Sequence, residues 1–271
     1  MTDALPNGRD QISSAFAAAL ENRTAALMPY FTLGYPDRET SLKIIEAIAP
    51  SSDLLELGVP FSDPLADGPT IQHSTQISLE NGTTVASCLD MVRELRRRGV
   101  VTPVCLMGYY NPMLAYGLER FVQDAKEAGA QGFIVPDLPP EEAAELVSLM
   151  DEAGLAYIYL LAPTSSSERV ADVSGRANGF IYLVSVTGVT GARQSLQADL
   201  EQFVQRVRDS SYVPLAIGFG ISTPAQAAAV AQLADGVIVG SALVNAVDAA
   251  DQDKPAAALS FVNALQTALN Q

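Results

Sequence analysis

Residues 54–70 read LLELGVPFSDPLADGPT, an apolar run that carries one glutamate and then opens into a loop with two aspartates, Asp63 and Asp67. A strand that is apolar at nearly every position is covered on both faces, as strands of a parallel sheet are. Alternation puts Leu54, Glu56 and Gly58 on one face and Leu55, Leu57 and Val59 on the other. A carboxylate among leucines is costly unless something uses or satisfies it. If its face is the inside of a barrel, Glu56 stands near the C-terminal mouth. An apolar setting there raises its pKa and suits it to general acid/base work near neutrality.

Similar segments recur at 27–33, 103–109, 132–138, 156–162, 179–186, 214–219 and 236–240, with helical patterns between them. Together with 54–59 they make eight, mostly at roughly the length of one βα unit, which predicts a single (β/α)8 TIM barrel over 1–271. Residues 10–22 (DQISSAFAAALEN) read as an extra N-terminal helix over the barrel's bottom. From 83 to 98, Val85, Cys88, Leu89, Val92 and Leu95 share one helix face, and Arg96-Arg97-Arg98 closes that helix before Gly99, where cations suit the dipole. Pro139-Pro140-Glu141-Glu142 is expected to open a helix, and Thr223-Pro224 to cap another. One gap breaks the rhythm: an inserted β2–α2 loop from Pro60 to about Asn81 holds both aspartates, and long βα loops serve a barrel's active face.

Composition excludes several classes. With 48% hydrophobic and 17% charged residues the chain is a folded globule. It shows no run long enough for a membrane span and no secretory signal in MTDALPNGRDQ, so a cytoplasmic location is expected. A net charge of −15 disfavours nucleic acid and anionic membranes, and means that an anionic substrate must be captured by local N–H groups against the overall field. The two cysteines, Cys88 and Cys105, read as buried free thiols.

The last two strand ends run into Gly218-Phe219-Gly220-Ile221-Ser222 and Gly240-Ser241-Ala242. Glycines there let backbone N–H groups approach an anion, and a helix starting near Ser241 aims its positive end at it, which points to a phosphate site. Thr187-Gly188-Val189-Thr190-Gly191-Ala192-Arg193 suits a mobile lid or an ordinary flexible connection. Of possible barrel chemistries, Schiff-base aldol cleavage needs a pocket-facing strand-end lysine, whereas Lys43, Lys126 and Lys254 all sit in polar helical or loop contexts. Metal-dependent routes gather several histidines, and the chain has only His73, read as a solvated helix residue, so no metal is expected. Carboxylate acid/base chemistry remains, with Glu56 as its centre. Asp67, before Gly68-Pro69, reads equally as a turn residue, a helix cap or a second functional acid.

Taken in order, Glu56, PFSDPLADGPTIQ, SVTGVTGAR, GFGIS and GSA closely resemble the tryptophan synthase α subunit family over essentially the whole chain. The resemblance implies retro-aldol cleavage of indole-3-glycerol phosphate to indole and glyceraldehyde 3-phosphate. In this family pattern Glu56 is the general acid/base, and Asp67 pairs with the indole N–H. Tyr182 and Tyr109 line the site, Thr190 closes the lid onto the loop aspartate, and Gly191, Gly218, Gly220, Gly240 and Ser241 cradle the phosphate. The resemblance further implies an α2β2 complex with a β subunit that holds pyridoxal phosphate and receives the indole, no cofactor being expected in this chain. Pro60, Asp63, Pro64, Asn111 and Pro112 match the surface that meets β. Two positions depart from the pattern, Tyr30 where others carry Phe and Tyr35 where some carry Asp. Rival readings are another phosphosugar barrel enzyme and a catalytically silent barrel that only activates a partner; intact Glu56 and Asp67 argue against the second.

Overall fold

The strands are β1 (Ala26–Thr32), β2 (Leu55–Gly58), β3 (Val104–Met107), β4 (Gly132–Ile134), β5 (Ala156–Leu161), β6 (Ile181–Val184), β7 (Leu215–Gly218) and β8 (Gly236–Val239). The computed structural model describes residues 7–184, 193–218 and 220–270. Among them the eight strands pair in parallel in chain order, and β8 closes on β1 through Ala26–Gly236 to Pro29–Val239. Nearly every strand residue is buried, as the unbroken apolar runs require.

The helices are α1 (Gly8–Glu21), α2 (Arg38–Ile48), α3 (Pro69–Glu80), α4 (Val85–Arg97), α5 (Tyr110–Tyr116), α6 (Leu118–Ala128), α7 (Ala144–Ala153), α8 (Ser167–Arg176), α9 (Arg193–Arg208), α10 (Pro224–Ala231), α11 (Ser241–Asp248) and α12 (Lys254–Leu269). Helix α1 lies where the sequence puts it, under the strand starts. Phe16 packs on Phe180 at a ring distance of 5.5 Å and comes so near Gly236 that a Cβ there would stand 2.9 Å from its ring. Helix α10 is capped by Thr223, whose side chain accepts from the Gln226 N–H while Gln226 bonds back, with Pro224 in the first turn. Cys88 and Cys105 are buried free thiols.

Three local readings change. Pro139–Glu142 forms a turn, closed by the Glu142 N–H on the Pro139 carbonyl at 2.9 Å, and α7 starts only at Ala144. The cause is Pro140, which pushes the preceding Pro139 out of the helical region. The inserted stretch is half helix: Pro69 opens α3, which carries an exposed His73. Arg96 does more than oppose a dipole. Its half-buried guanidinium donates to the carbonyls of Val100, Thr102 and Gly129 and to Gln131 Oε1, tying α4 to the starts of β3 and β4.

Candidate active site

At the C-terminal mouth the inner faces of β1, β2, β3, β6 and β8 open into a cavity of about 410 Å³, walled by Tyr30, Glu56, Met107, Tyr182 and Ile238. The loop after β2 adds Asp67, Gly68 and Ile71. The loop after β7 adds Gly220, Ile221 and Ser222, and the end of β8 with the start of α11 adds Gly240, Ser241, Ala242 and Asn245.

Glu56 is the more deeply buried of the two carboxyls on the cavity wall. It is 1% exposed, and its Oε2 has no hydrogen-bond partner among the described residues. Burial, with a smaller push from the charge of Asp67, raises its pKa to about 8. The carboxyl is therefore neutral at pH 7 and can give a proton.

Asp67 comes to the same cavity by a different route. The loop turns through Leu65 N–H to the Asp63 carbonyl at 2.9 Å and Asp67 N–H to the Pro64 carbonyl at 3.1 Å. The Tyr109 hydroxyl then fixes it from above β3, accepting from the Ala66 N–H and donating to Asp67 Oδ2, both at 3.0 Å. Burial raises the Asp67 pKa to about 6, and the Tyr109 hydrogen bond, which favours the ionised form, holds it from going higher. Of the readings of Asp67 the cap does not hold, since the N-cap of α3 is Gly68; its N–H closes a turn while its side chain faces the cavity. Tyr109 itself is not a wall of the cavity; it is the clamp on the acid.

The other expected residues divide. Tyr182 lines the cavity, lying over Gly218 of the next strand, where a Cβ would stand 2.1 Å from its hydroxyl. Gly218 does not border the cavity, and the ring above it is reason enough for a glycine. Gly220 does border it, at φ +78, a conformation that glycine adopts without strain. Gly240 is the N-cap of α11 and supplies no side-chain cap, so the first N–H groups of that helix, at Ser241 and Ala242, face the cavity without an intrahelical acceptor. Thr190 and Gly191, like Phe219, lie outside the described residues. Among the described residues no group of three or more His, Cys, Asp or Glu side chains is placed to hold a metal ion.

Sequence reasoning missed Asn245 and the placement of Tyr30. Asn245 follows Ser241 by one helical turn, so it was findable as the next residue on the same face. Tyr30 shares the inward parity of β1 and stands opposite Glu56 in the register. Tyr35 is buried away from the cavity and donates its hydroxyl to Asp248 at the end of α11.

A family model described as "Tryptophan synthase alpha chain" matches residues 16–270. The chain belongs to the tryptophan synthase alpha chain family. A relative of that name from Chloroflexus aggregans is 48% identical over 261 residues, 96% of this chain and 98% of its own. One from Geobacter sp. strain M21 is 54% identical over 235 residues, 86% and 88% of the two chains. Among solved structures, tryptophan synthase subunit alpha from Legionella pneumophila superposes with a TM-score of 0.89 at 39% identity, covering 96% of this chain and 98% of that one. A chain of tryptophan synthase from M. tuberculosis, in its aminoacrylate-bound form, gives 0.86 at 35% identity, covering 96% and 99%.

Proposed function

We propose that this tryptophan synthase alpha chain cleaves indole-3-glycerol phosphate with Glu56 and Asp67 as its two working carboxylates. The observation that carries the assignment is their placement in one cavity with separated titrations, Glu56 at about 8 and Asp67 at about 6. At pH 7 one is an acid and the other an anion, the pairing that carboxylate acid/base chemistry needs.

The reaction is a lyase step. Glu56 gives its proton to the indole carbon that bears the side chain, leaving an indolenine cation whose N–H is stabilised by the Asp67 carboxylate. The carbon–carbon bond then breaks, its electron pair restoring the indole ring, while the side-chain hydroxyl loses its proton to Glu56 and becomes the aldehyde of glyceraldehyde 3-phosphate. Proton count closes within the cycle, and Glu56 is ready again. Gly220, Gly240 and Ser241, with the positive end of α11, hold the phosphate against the protein's net charge of −15. Gly191 and Thr190 complete the expected cradle and lid, Gly218 makes room for the Tyr182 ring instead of holding the phosphate, and Tyr182 packs beside Glu56.

The chain works with a β subunit. The loops after β2 and β3 form the surface for it: Phe61 and Tyr109 join them at a ring distance of 5.3 Å, and the exposed Leu65, Asp63 and Asn111 stand around that joint, with Pro60, Pro64 and Pro112 as its stiff points. An α2β2 assembly with pyridoxal phosphate in β, in the cytoplasm, is the proposed setting. Indole release from indole-3-glycerol phosphate, measured with and without a β subunit, tests the reading. Slow release that β accelerates is expected; no release from folded, substrate-binding protein in either condition refutes it.

A further inference from the structure

The proton of the Tyr30 hydroxyl, on the wall of the cavity, is directed by a chain of buried hydroxyls behind it. Its oxygen lies 3.2 Å from Thr32 Oγ1, which lies 2.7 Å from Ser74 Oγ, which in turn lies 2.9 Å from the Ile71 carbonyl oxygen. All three side chains are buried, with Thr32 and Ser74 at 0% exposure. Each hydroxyl has one proton to give. The carbonyl can only accept, so the Ser74 proton goes to Ile71. Thr32 must then donate to Ser74, and Tyr30 must donate to Thr32. Any other order leaves two oxygens facing each other without a proton between them. The chain thus pulls the Tyr30 proton down behind the barrel wall and leaves its lone pairs for the cavity.

The ring is held in that pose by the strands on either side. A Cβ on Gly58 would stand 2.1 Å from the Tyr30 hydroxyl, and one on Gly240 would stand 3.3 Å from the start of its ring. β1 also sits between β2, which carries Glu56, and β8, which leads into Gly240. A molecule that puts its reacting carbon at Glu56 and its phosphate at Ser241 must lay the intervening polyol chain past β1.

We propose that Tyr30 is a substrate-contacting hydrogen-bond acceptor for a hydroxyl of the glycerol chain, and that Thr32 and Ser74 are positioning residues that set its direction. This rests on the retro-aldol reading. It adds a specificity element: a site that accepts from a hydroxyl discriminates against a substrate lacking one.

The test uses the chain with its β subunit and two ligands, indole-3-glycerol phosphate and an indole-3-alkyl phosphate with no hydroxyls. Tyr30→Phe keeps the ring and removes the acceptor; kcat/KM is expected to fall about 3–10-fold, the worth of one neutral hydrogen bond, while Kd for the hydroxyl-free ligand stays within about 2-fold. Ser74→Ala frees Thr32 to turn its proton toward Tyr30, so it should lower kcat/KM alone and add nothing in the Tyr30→Phe background. Wild-type kcat/KM in Tyr30→Phe, equal weakening of both ligands, or full additivity with Ser74→Ala overturns the proposal. Indole release by the wild-type chain is the separate control, since its absence overturns the retro-aldol reading instead.

Discussion

Replacing Glu56 by Gln should make the protein more stable and less active, and the stability gain should depend on pH. The folded chain holds the Glu56 carboxyl at about 8 against an ordinary 4.5, because burial disfavours the charge. The folded value lies above the unfolded one, so the folded chain binds this proton more tightly. Below pH 4.5 both states are protonated and Gln, a neutral isostere, should match Glu. As pH rises through 4.5 the unfolded state ionises and gains, and the wild type loses stability relative to Gln by about 1.36 kcal/mol per pH unit. The loss levels off above pH 8, where the folded carboxyl ionises as well, at a total of about 5 kcal/mol from the gap between 4.5 and about 8. At pH 6.5 the difference should already be about 3 kcal/mol. Denaturant unfolding of both proteins at pH 4.5, 6.5 and 8.5 reads this directly, because every other titrating group is common to the pair. The same variant should lose at least about 10²-fold in indole release, the low end for a positioned acid/base. A stability difference that does not change with pH, or turnover near that of the wild type, would refute the reasoning.

The pH profile of kcat/KM should be bell-shaped, falling below about 6 as Asp67 protonates and above about 8 as Glu56 ionises. In Tyr109→Phe the acid limb should move upward by as much as about one pH unit, since the donor that favours ionised Asp67 is gone; an unmoved limb would deny Tyr109 its clamp role. Gly58→Ala should cost about 1–3 kcal/mol in unfolding experiments and raise KM, because the new methyl collides with Tyr30; a neutral substitution would show that the ring is not fixed there. With a net charge of −15 opposing a phosphorylated substrate, kcat/KM should rise as salt is increased from about 10 to 150 mM. A fall would mean that attraction, not repulsion, governs capture.

The barrel was legible because its strands are buried on both faces, and a run such as Ile158–Leu161 or Val237–Val239 announces itself by composition alone. Glu56 was legible for the same reason, as the one charge in such a run. The setting of Asp67 was not, because what fixes its carboxylate at the cavity is a hydroxyl 42 residues away in sequence, and no local turn chemistry reports on Tyr109. The glycines show the other limit. GFGIS points to phosphate as a string, yet Gly220 borders the cavity while Gly218 lies under the Tyr182 ring. The pattern repeats across the barrel, where Gly58 sits under Tyr30. A glycine needed for an anion and one needed for a neighbouring tyrosine look alike in sequence, and only the strand register separates them.

The burial that tunes Glu56 also weakens the fold, and the arrangement of the site follows from that tension. A carboxyl 1% exposed with a bare Oε2 is a standing destabilisation, tolerated because the surrounding barrel buries apolar residues on nearly every strand position. Had the two acids been buried alike, both would be neutral at pH 7 and neither could stabilise a cation. The structure avoids this by placing them on different supports. Glu56 stands on a rigid strand in the dry interior, and Asp67 on a loop, half-buried, with a tyrosine proton donated to it. Keeping Glu56 neutral has a second effect at the mouth, because the cavity then carries one negative charge instead of two when an anionic substrate arrives at α11. In the proposed reaction, proton donation and tolerance of a phosphate both rest on the same protonated carboxyl, and a variant that lowers the Glu56 pKa should lose both together.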